Sequence, residues 1–108
     1  MYQTKWKDAK REAHYLNRKF FHIPKSNLQI RLRPLVSEWG ITTETNKKKR
    51  YIVLNEDFPS YSLFRSVLAH EMIHLWQFVN NHEGTHDNRF YSWRRVLGKE
   101  GYNILESY

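Results

Sequence analysis

The sequence predicts an α+β fold with an N-terminal helix, a three-stranded sheet and two C-terminal helices. Apolar residues recur every three or four positions near both ends of the chain, whereas alternating and β-branched residues fill the middle. The chain has 108 residues, enough for one hydrophobic core and too few for a second module. We therefore expect residues 1–108 to form a single domain.

The first predicted helix covers residues 4–21 and is followed by Pro24. Its buried side is marked by apolar residues at helical spacing: Trp6, Ala9, Ala13, Leu16 and Phe20. Its opposite side carries a basic row: Lys7, Lys10, Arg11, His14 and Arg18. This row has the spacing to follow a phosphate backbone, but an ordinary solvated helix face would look the same.

Three strands should follow, in a sheet of the antiparallel type. Apolar and polar residues alternate over positions 28–32, and β-branched residues favour strands at positions 39–45 and 50–54. The polar stretch between the last two strands indicates a hairpin tip. Four consecutive cations, Lys47, Lys48, Lys49 and Arg50, repel one another and belong at such a tip, where either nucleic acid or water can surround them.

A long helix is predicted next, and it is apolar nearly all round, which is typical of a helix inside a domain. Ser60 or Ser62 can cap its start, and Asn80, Asn81 and Gly84 can end it. A further helix should start near Asp87, since Phe90, Trp93 and Leu97 recur at helical spacing. The tail with Tyr102, Ile104, Leu105 and Tyr108 is expected to pack as a strand or short helix.

The buried helix contains the pattern H-E-x-x-H at positions 70–74. His70 and His74 lie one turn apart on one helix face and can bind one metal ion. Glu71 points away from the shared metal and can act as the general base for a metal-bound water, as in zinc peptidases. The alternative is a pair of hydrogen-bonded core histidines beside an unrelated glutamate.

A catalytic zinc site commonly has three protein ligands and one open position, so a third ligand is expected. The residues leave four candidates after the helix: His82, Glu83, His86 and Glu100. His86 is favoured because positions 83–85 can turn the chain back toward the metal. The metzincin spacing is excluded, since Gln77 and Asn80 stand where it needs glycine and histidine.

These residues resemble the SprT-like, or Spartan-type, zinc metalloproteases. The match lies in the H-E-M-I-H segment, a short polar loop and the sequence from Glu83 to Phe90, in which the spacing from His86 to Phe90 fits the family pattern. Asp87 stands where glycine is common in the family. The resemblance implies a zincin-like minimal core with an active-site helix and a second ligand-bearing helix. It implies that His70, His74 and His86 bind Zn²⁺ and that Glu71 is catalytic.

The resemblance also implies cleavage of proteins associated with DNA, including covalent DNA-protein crosslinks. The excess of 18 basic over 11 acidic residues, a net charge of +7, is compatible with DNA as a partner. The predicted contacts are Lys7, Arg11, Arg18 and residues 47–50. The charge is compatible with either single- or double-stranded DNA. An exposed strand edge beside the active helix could align an extended substrate.

Composition limits the remaining choices. The chain has no cysteine, so disulfides, thiolate metal sites and the cysteine-rich zinc ribbon that often follows this domain in the family are not expected. No signal peptide or membrane span is predicted. We expect a cytoplasmic or nucleoid-associated monomer, or one in the host cytoplasm if a phage encodes it.

Two rivals remain. A three-histidine metal-dependent ribonuclease would need a histidine at position 80, where Asn80 stands, and has no use for Glu71. A nucleic-acid-binding module with a structural or vestigial zinc site would not need Glu71 either. If the chain is a peptidase, Tyr61, Arg89 and Tyr91 are candidates for stabilising the oxyanion.

Overall fold

The apolar helices predicted from the sequence pack against a small sheet in the middle of the chain. The computed structural model describes residues 1–108. Its elements are β1 (Tyr2–Gln3), α1 (Trp6–Leu16), β2 (Ile30–Leu32), β3 (Gly40–Glu44), β4 (Arg50–Leu54), β5 (Asp57–Phe58), α2 (Tyr61–Val79) and α3 (Asn88–Gly98). A π-helical turn extends α1 and a 3₁₀ turn precedes β2. The predicted α+β class is confirmed.

The three-stranded sheet is mixed, and in this it differs from the antiparallel sheet that was expected. The strand order is β2-β4-β3, with β4 in the centre. β3 and β4 form the predicted antiparallel hairpin, but β2 runs parallel to β4, with Ile30 opposite Ile52 and Leu32 opposite Leu54. The chain after β2 crosses to the far edge of the sheet before the hairpin brings β4 back between the two. β2 and β4 therefore point the same way.

Three shorter features depart from the sequence prediction. β1 and β5 form a two-stranded antiparallel sheet whose strands have only two residues each, too few for a periodic signal. The first helix is α-helical only to Leu16 and ends in a π-helical turn. Residues 102–108 form neither strand nor helix, although Tyr102 and Ile104 are buried as expected.

α2 lies at the centre of the fold. It contacts α1, α3, β3 and β4. Ser60 caps its start, where the Ser60 hydroxyl accepts a hydrogen bond of 3.1 Å from the Leu63 amide. Every residue from Ser66 to Leu75 is buried. The fold therefore carries His70, Glu71 and His74 into the interior.

None of the helices combines the length and the apolar character that crossing a membrane would require.

Candidate metal centre

Three histidines meet where α2 passes the loop that precedes α3. His70 and His74 come from α2 and are buried, whereas His86 comes from the loop and is exposed. One ring nitrogen of each lies within 4.8 Å of the others. Phe90, on the first turn of α3, packs against all three rings, and its centroid is 4.5 Å from that of His86. The structure thus brings together the three histidines that the sequence predicts as ligands.

The hydrogen bonds of the two helical histidines determine which ring nitrogen carries the proton. His70 Nδ1 lies 2.8 Å from the backbone oxygen of Leu105, and a carbonyl can only accept, so Nδ1 donates. His74 Nδ1 lies 2.8 Å from Gln77 Oε1 and donates in the same way. In the neutral rings each Nε2 then holds a lone pair. These two Nε2 atoms face each other at 3.1 Å.

Two lone pairs at this distance repel unless a cation lies between them. Nitrogen ligands at 2.0–2.1 Å from a tetrahedral Zn²⁺ are about 3.3 Å apart, close to the observed separation of the Nε2 atoms. Burial and the neighbouring His74 lower the pKa of His70 to about 4, so the ring stays neutral and able to bind a metal. Burial also lowers the pKa of His74. The donor set therefore fits a divalent metal that accepts imidazole ligands.

Gln77 connects the helical part of the site to the loop that carries His86. Its side chain is fully buried, and while Oε1 accepts from His74, Nε2 donates to the backbone oxygen of Thr85 at 2.8 Å. The Thr85 carbonyl fixes the orientation of the amide, because only the NH₂ group can donate to it. Nε2 also lies 3.3 Å from Oδ1 of Asp87. One side chain thus orients a ligand and holds the loop.

The loop itself is shaped by local contacts at both ends. Gly84 lies so close to the Phe78 ring that a Cβ would come within 2.6 Å of it, which lets the loop fold back over the end of α2. Asp87 caps α3 by accepting hydrogen bonds from the amides of Arg89 and Phe90. Asp87 thus sets the start of α3 immediately after His86.

Glu71 lies beside the histidines and is almost fully buried. The Thr42 hydroxyl donates to Glu71 Oε1 at 2.7 Å, and Oε2 lies 3.9 Å from His70 Nε2. Gly40 makes room for this carboxylate, since a Cβ there would lie 3.1 Å from Glu71 Cγ and 2.8 Å from Val67 Cγ1. Burial raises the pKa of Glu71 to about 7, although the Thr42 hydrogen bond opposes the shift. A carboxyl group with this pKa can both accept and return a proton near neutral pH.

The C-terminal segment closes one side of the site. Besides the Leu105 carbonyl that orients His70, the Tyr108 ring packs edge-on against the His70 ring at 5.1 Å. The Tyr108 hydroxyl accepts from the Leu105 amide and donates to the backbone oxygen of Asn103. The backbone oxygen of Tyr108 accepts from the Trp39 amide, next to β3. This irregular tail is fixed by hydrogen bonds instead of secondary structure.

The other three candidates for the third ligand lie outside the cluster. His82 packs near the Trp76 ring and Glu83 is exposed in the loop, while Glu100 pairs with Lys19. None of these three side chains belongs to the group of converging ligand atoms. Of the four candidates, only His86 reaches the two helical histidines.

The proposed oxyanion donors are engaged elsewhere. The Tyr61 hydroxyl donates to Glu12 at 2.7 Å, and Tyr61 precedes His70 by nine residues, about 13 Å along the helix. Tyr91 bonds to Glu106, and Arg89 pairs with Asp87 at 3.1 Å. The sequence signal missed the residues that do orient the site: Thr42, Gln77 and the Leu105 carbonyl. Of these, only Gln77 could have been found from the sequence, because it is a polar residue in a mostly apolar helix.

The residues predicted to contact nucleic acid differ in their surroundings. Arg11 pairs with Asp8 at 3.1 Å and also donates to the Tyr61 hydroxyl. Arg50 is mostly buried and pairs with Glu44 at 2.7 Å. Lys48 lies 3.7 Å from the same carboxylate. Four side chains are exposed and form no ion pair: Lys7, Arg18, Lys47 and Lys49.

A buried H-E-x-x-H helix beside an edge strand, with a third histidine from the following loop, defines a metalloprotease-like domain. The chain matches the SprT-like family over residues 9–107, nearly its whole length, and it belongs to that family. No curated protein matches it at a significant level.

The geometry distinguishes the two histidines of the loop. We expect His86→Ala to weaken Zn²⁺ binding by more than the roughly 10- to 100-fold typical of an outer hydrogen-bond partner, because a direct ligand is lost. His82→Ala is the matched control and should change the affinity little. Competition with a chromophoric chelator measures both. Equal losses in the two variants would contradict the assignment of His86.

The two hydrogen bonds of Gln77 should matter for metal binding. We expect Gln77→Leu to weaken Zn²⁺ binding roughly 10- to 100-fold, because it leaves His74 Nδ1 and the Thr85 carbonyl without partners. Gln77→Glu keeps an acceptor for His74 and should recover part of the affinity. Asn80→Ala, on the exposed end of the same helix, is the control. Unchanged affinity in Gln77→Leu would rule out this positioning role.

Burial of Glu71 should make the metal-free protein less stable as the pH rises. The folded pKa of about 7 exceeds the ordinary 4.5, so the folded state binds more protons between these values and loses stability from pH 4.5 upward. Glu71→Gln removes this cost. The measurement is urea denaturation with a chelator present. The free energy of unfolding of Glu71→Gln should exceed that of wild type, and this excess should be about 2 kcal/mol larger at pH 8 than at pH 5. The same gain at both values would refute the buried, raised-pKa carboxyl.

Proposed function

We propose that this protein is a zinc-dependent metalloendopeptidase that acts on DNA-associated proteins, including DNA-protein crosslinks. The observation that supports the peptidase most directly is the position of Glu71. Its carboxylate lies beside the converging histidines, and Oε2 is 3.9 Å from His70 Nε2. A structural zinc site or a three-histidine nuclease has no need of a buried carboxyl group at this place.

His70, His74 and His86 would hold the metal, which when bound lowers the pKa of a water molecule and polarises a substrate carbonyl. Glu71 supplies the proton transfers that peptide hydrolysis needs. Its Oε1 stays fixed by Thr42, so Oε2 is the oxygen that can accept a proton from the attacking water and deliver it to the leaving amine. Burial favours this exchange because it places the pKa of Glu71 near neutrality.

The edge of the sheet beside α2 suits an extended substrate. β3 pairs only with β4, so its other edge is not taken up by a strand, and Thr42 on β3 contacts Glu71. A peptide that pairs with this edge would be held mainly by its backbone and would bring a scissile bond toward Glu71. Such binding tolerates many side chains, which suits cleavage of varied proteins.

DNA association is the part of the proposal that depends on charge and family. The net charge of +7 favours a polyanionic partner, and exposed cations without ion pairs remain on α1 and on the hairpin tip. Membership of the SprT-like family supports a protease, and the family resemblance supports substrates on DNA.

The decisive experiment compares wild type with Glu71→Gln on a protein bound or crosslinked to DNA. We expect cleavage to fall about 10²- to 10⁴-fold in the variant, because the general base is lost while the metal ligands remain. Zinc content, measured in the same samples, should be unchanged. Glu83→Gln makes the same chemical change in the neighbouring loop and should retain activity.

Other outcomes would overturn the proposal. Equal cleavage by Glu71→Gln and wild type would remove the assigned role of the carboxyl group. Cleavage of RNA in place of protein would indicate the ribonuclease. Zinc binding without any hydrolysis would indicate a structural metal site.

A further inference from the structure

Two grooves flank the segment that leads into β2. The first, of about 270 Å³, lies between α1 and this segment, and the second, of about 230 Å³, lies between it and the β3–β4 hairpin. Successive strand residues point to opposite faces. Accordingly Leu28 and Ile30 line the first groove, Arg31 lines the second, and Gln29 lines both. The two grooves therefore meet at Gln29, on the β2 edge of the sheet.

Both grooves are strongly basic. No acidic side chain lines either of them, although the chain has 11 acidic residues. Their lining includes four cations that form no ion pair: Lys10 and Lys25 in the first groove, and Arg31 and Lys49 in the second. The positive charge is thus available to an external anion. By contrast, Arg11 of the predicted basic row is turned toward Asp8 and lines neither groove.

Each groove also has a planar side-chain group beside its cations. Trp6 lines the first groove and is 53% exposed, which is unusual for a large aromatic ring, and the Lys10 ammonium lies 4.9 Å from it. In the second groove the Arg31 guanidinium stacks on the Tyr51 ring at 3.9 Å. Exposed aromatic rings and guanidinium planes are platforms on which unpaired bases stack, and the adjacent cations can bind the phosphates between them.

We propose that the two grooves form one binding surface for single-stranded DNA, which crosses the β2 edge of the sheet at Gln29. A flexible single strand can follow a path that turns over a sheet edge. A duplex is stiff, with a persistence length of about 50 nm, so a sharp turn over the edge is costly, and it offers no unpaired bases to Trp6. The choice of DNA rests on the proposed function.

This surface lies at the opposite edge of the sheet from the metal centre. The strand order β2-β4-β3 places the grooves at β2, while β3 contacts Glu71 through Thr42. DNA on the β2 side would therefore leave the β3 edge free. A protein attached to that DNA could enter the site while the strand stays bound.

Fluorescence anisotropy with a labelled oligothymidylate tests the surface without requiring proteolysis. The double variants Lys10→Ala/Lys25→Ala and Arg31→Ala/Lys49→Ala should each lose at least about tenfold in affinity at moderate salt. The slope of log affinity against log salt should shrink by about 0.7 for each cation removed. Arg95→Ala/Lys99→Ala removes the same charge at the C-terminal end of α3, outside both grooves, and should change the affinity far less.

Stacking is tested separately at Trp6. Trp6→Ala should weaken oligothymidylate binding about tenfold, whereas Trp6→Phe keeps a ring and should retain most of the affinity. Thermal melting and zinc content of every variant report whether the fold is intact. Equal losses in the α3 control, equal binding of a duplex, or a preference for oligouridylate would each overturn the proposal. A protein without protease activity that still binds through these grooves would overturn the proposed function alone.

Discussion

The structure depends on placing a helix with three buried ionisable side chains, His70, Glu71 and His74, inside a hydrophobic core. Burial of each group is costly unless it has a partner, and each group has one. Leu105 provides a carbonyl for His70, Gln77 provides an amide oxygen for His74, and Thr42 provides a hydroxyl for Glu71. No buried side-chain nitrogen or oxygen lacks a hydrogen bond. These partners come from the tail, the helix itself and the sheet, so three parts of the fold together stabilise the buried groups of α2.

The same partners orient the two histidines of α2 so that their free ring nitrogens face one point. With both Nδ1 atoms donating to protein acceptors, both Nε2 lone pairs point to one place, which the exposed His86 reaches from the other side. Gln77 ties this geometry to the loop through Thr85. The loop is therefore held by a ligand-orienting side chain, and loop position and ligand orientation are coupled.

Features encoded in short stretches of chain could be predicted from the sequence. The H-E-x-x-H spacing, the Ser60 cap of α2 and the start of a helix at Asp87 all depend on residues within one helical turn. The parallel pairing of β2, the roles of Thr42 and Leu105 and the hydrogen bond from Arg11 to Tyr61 could not be predicted. Each of these joins elements that are distant in sequence or depends on which of two faces a side chain takes. A local pattern contains neither kind of information.

The parallel pairing of β2 with β4 also bears on the order in which the chain can fold. The β3–β4 hairpin closes a short loop, whereas β2 must find β4 after the chain has crossed the sheet, at a greater cost in loop entropy. The contacts that complete the metal centre span further still: Thr42 and Glu71 are 29 positions apart, and His70 and Leu105 are 35. Slow, non-local contacts thus define the site. His70 and His74 are neighbours along the chain even when it is unfolded, but the orienting partners of His70 and Glu71 are distant in sequence, so the site exists only once the chain has folded.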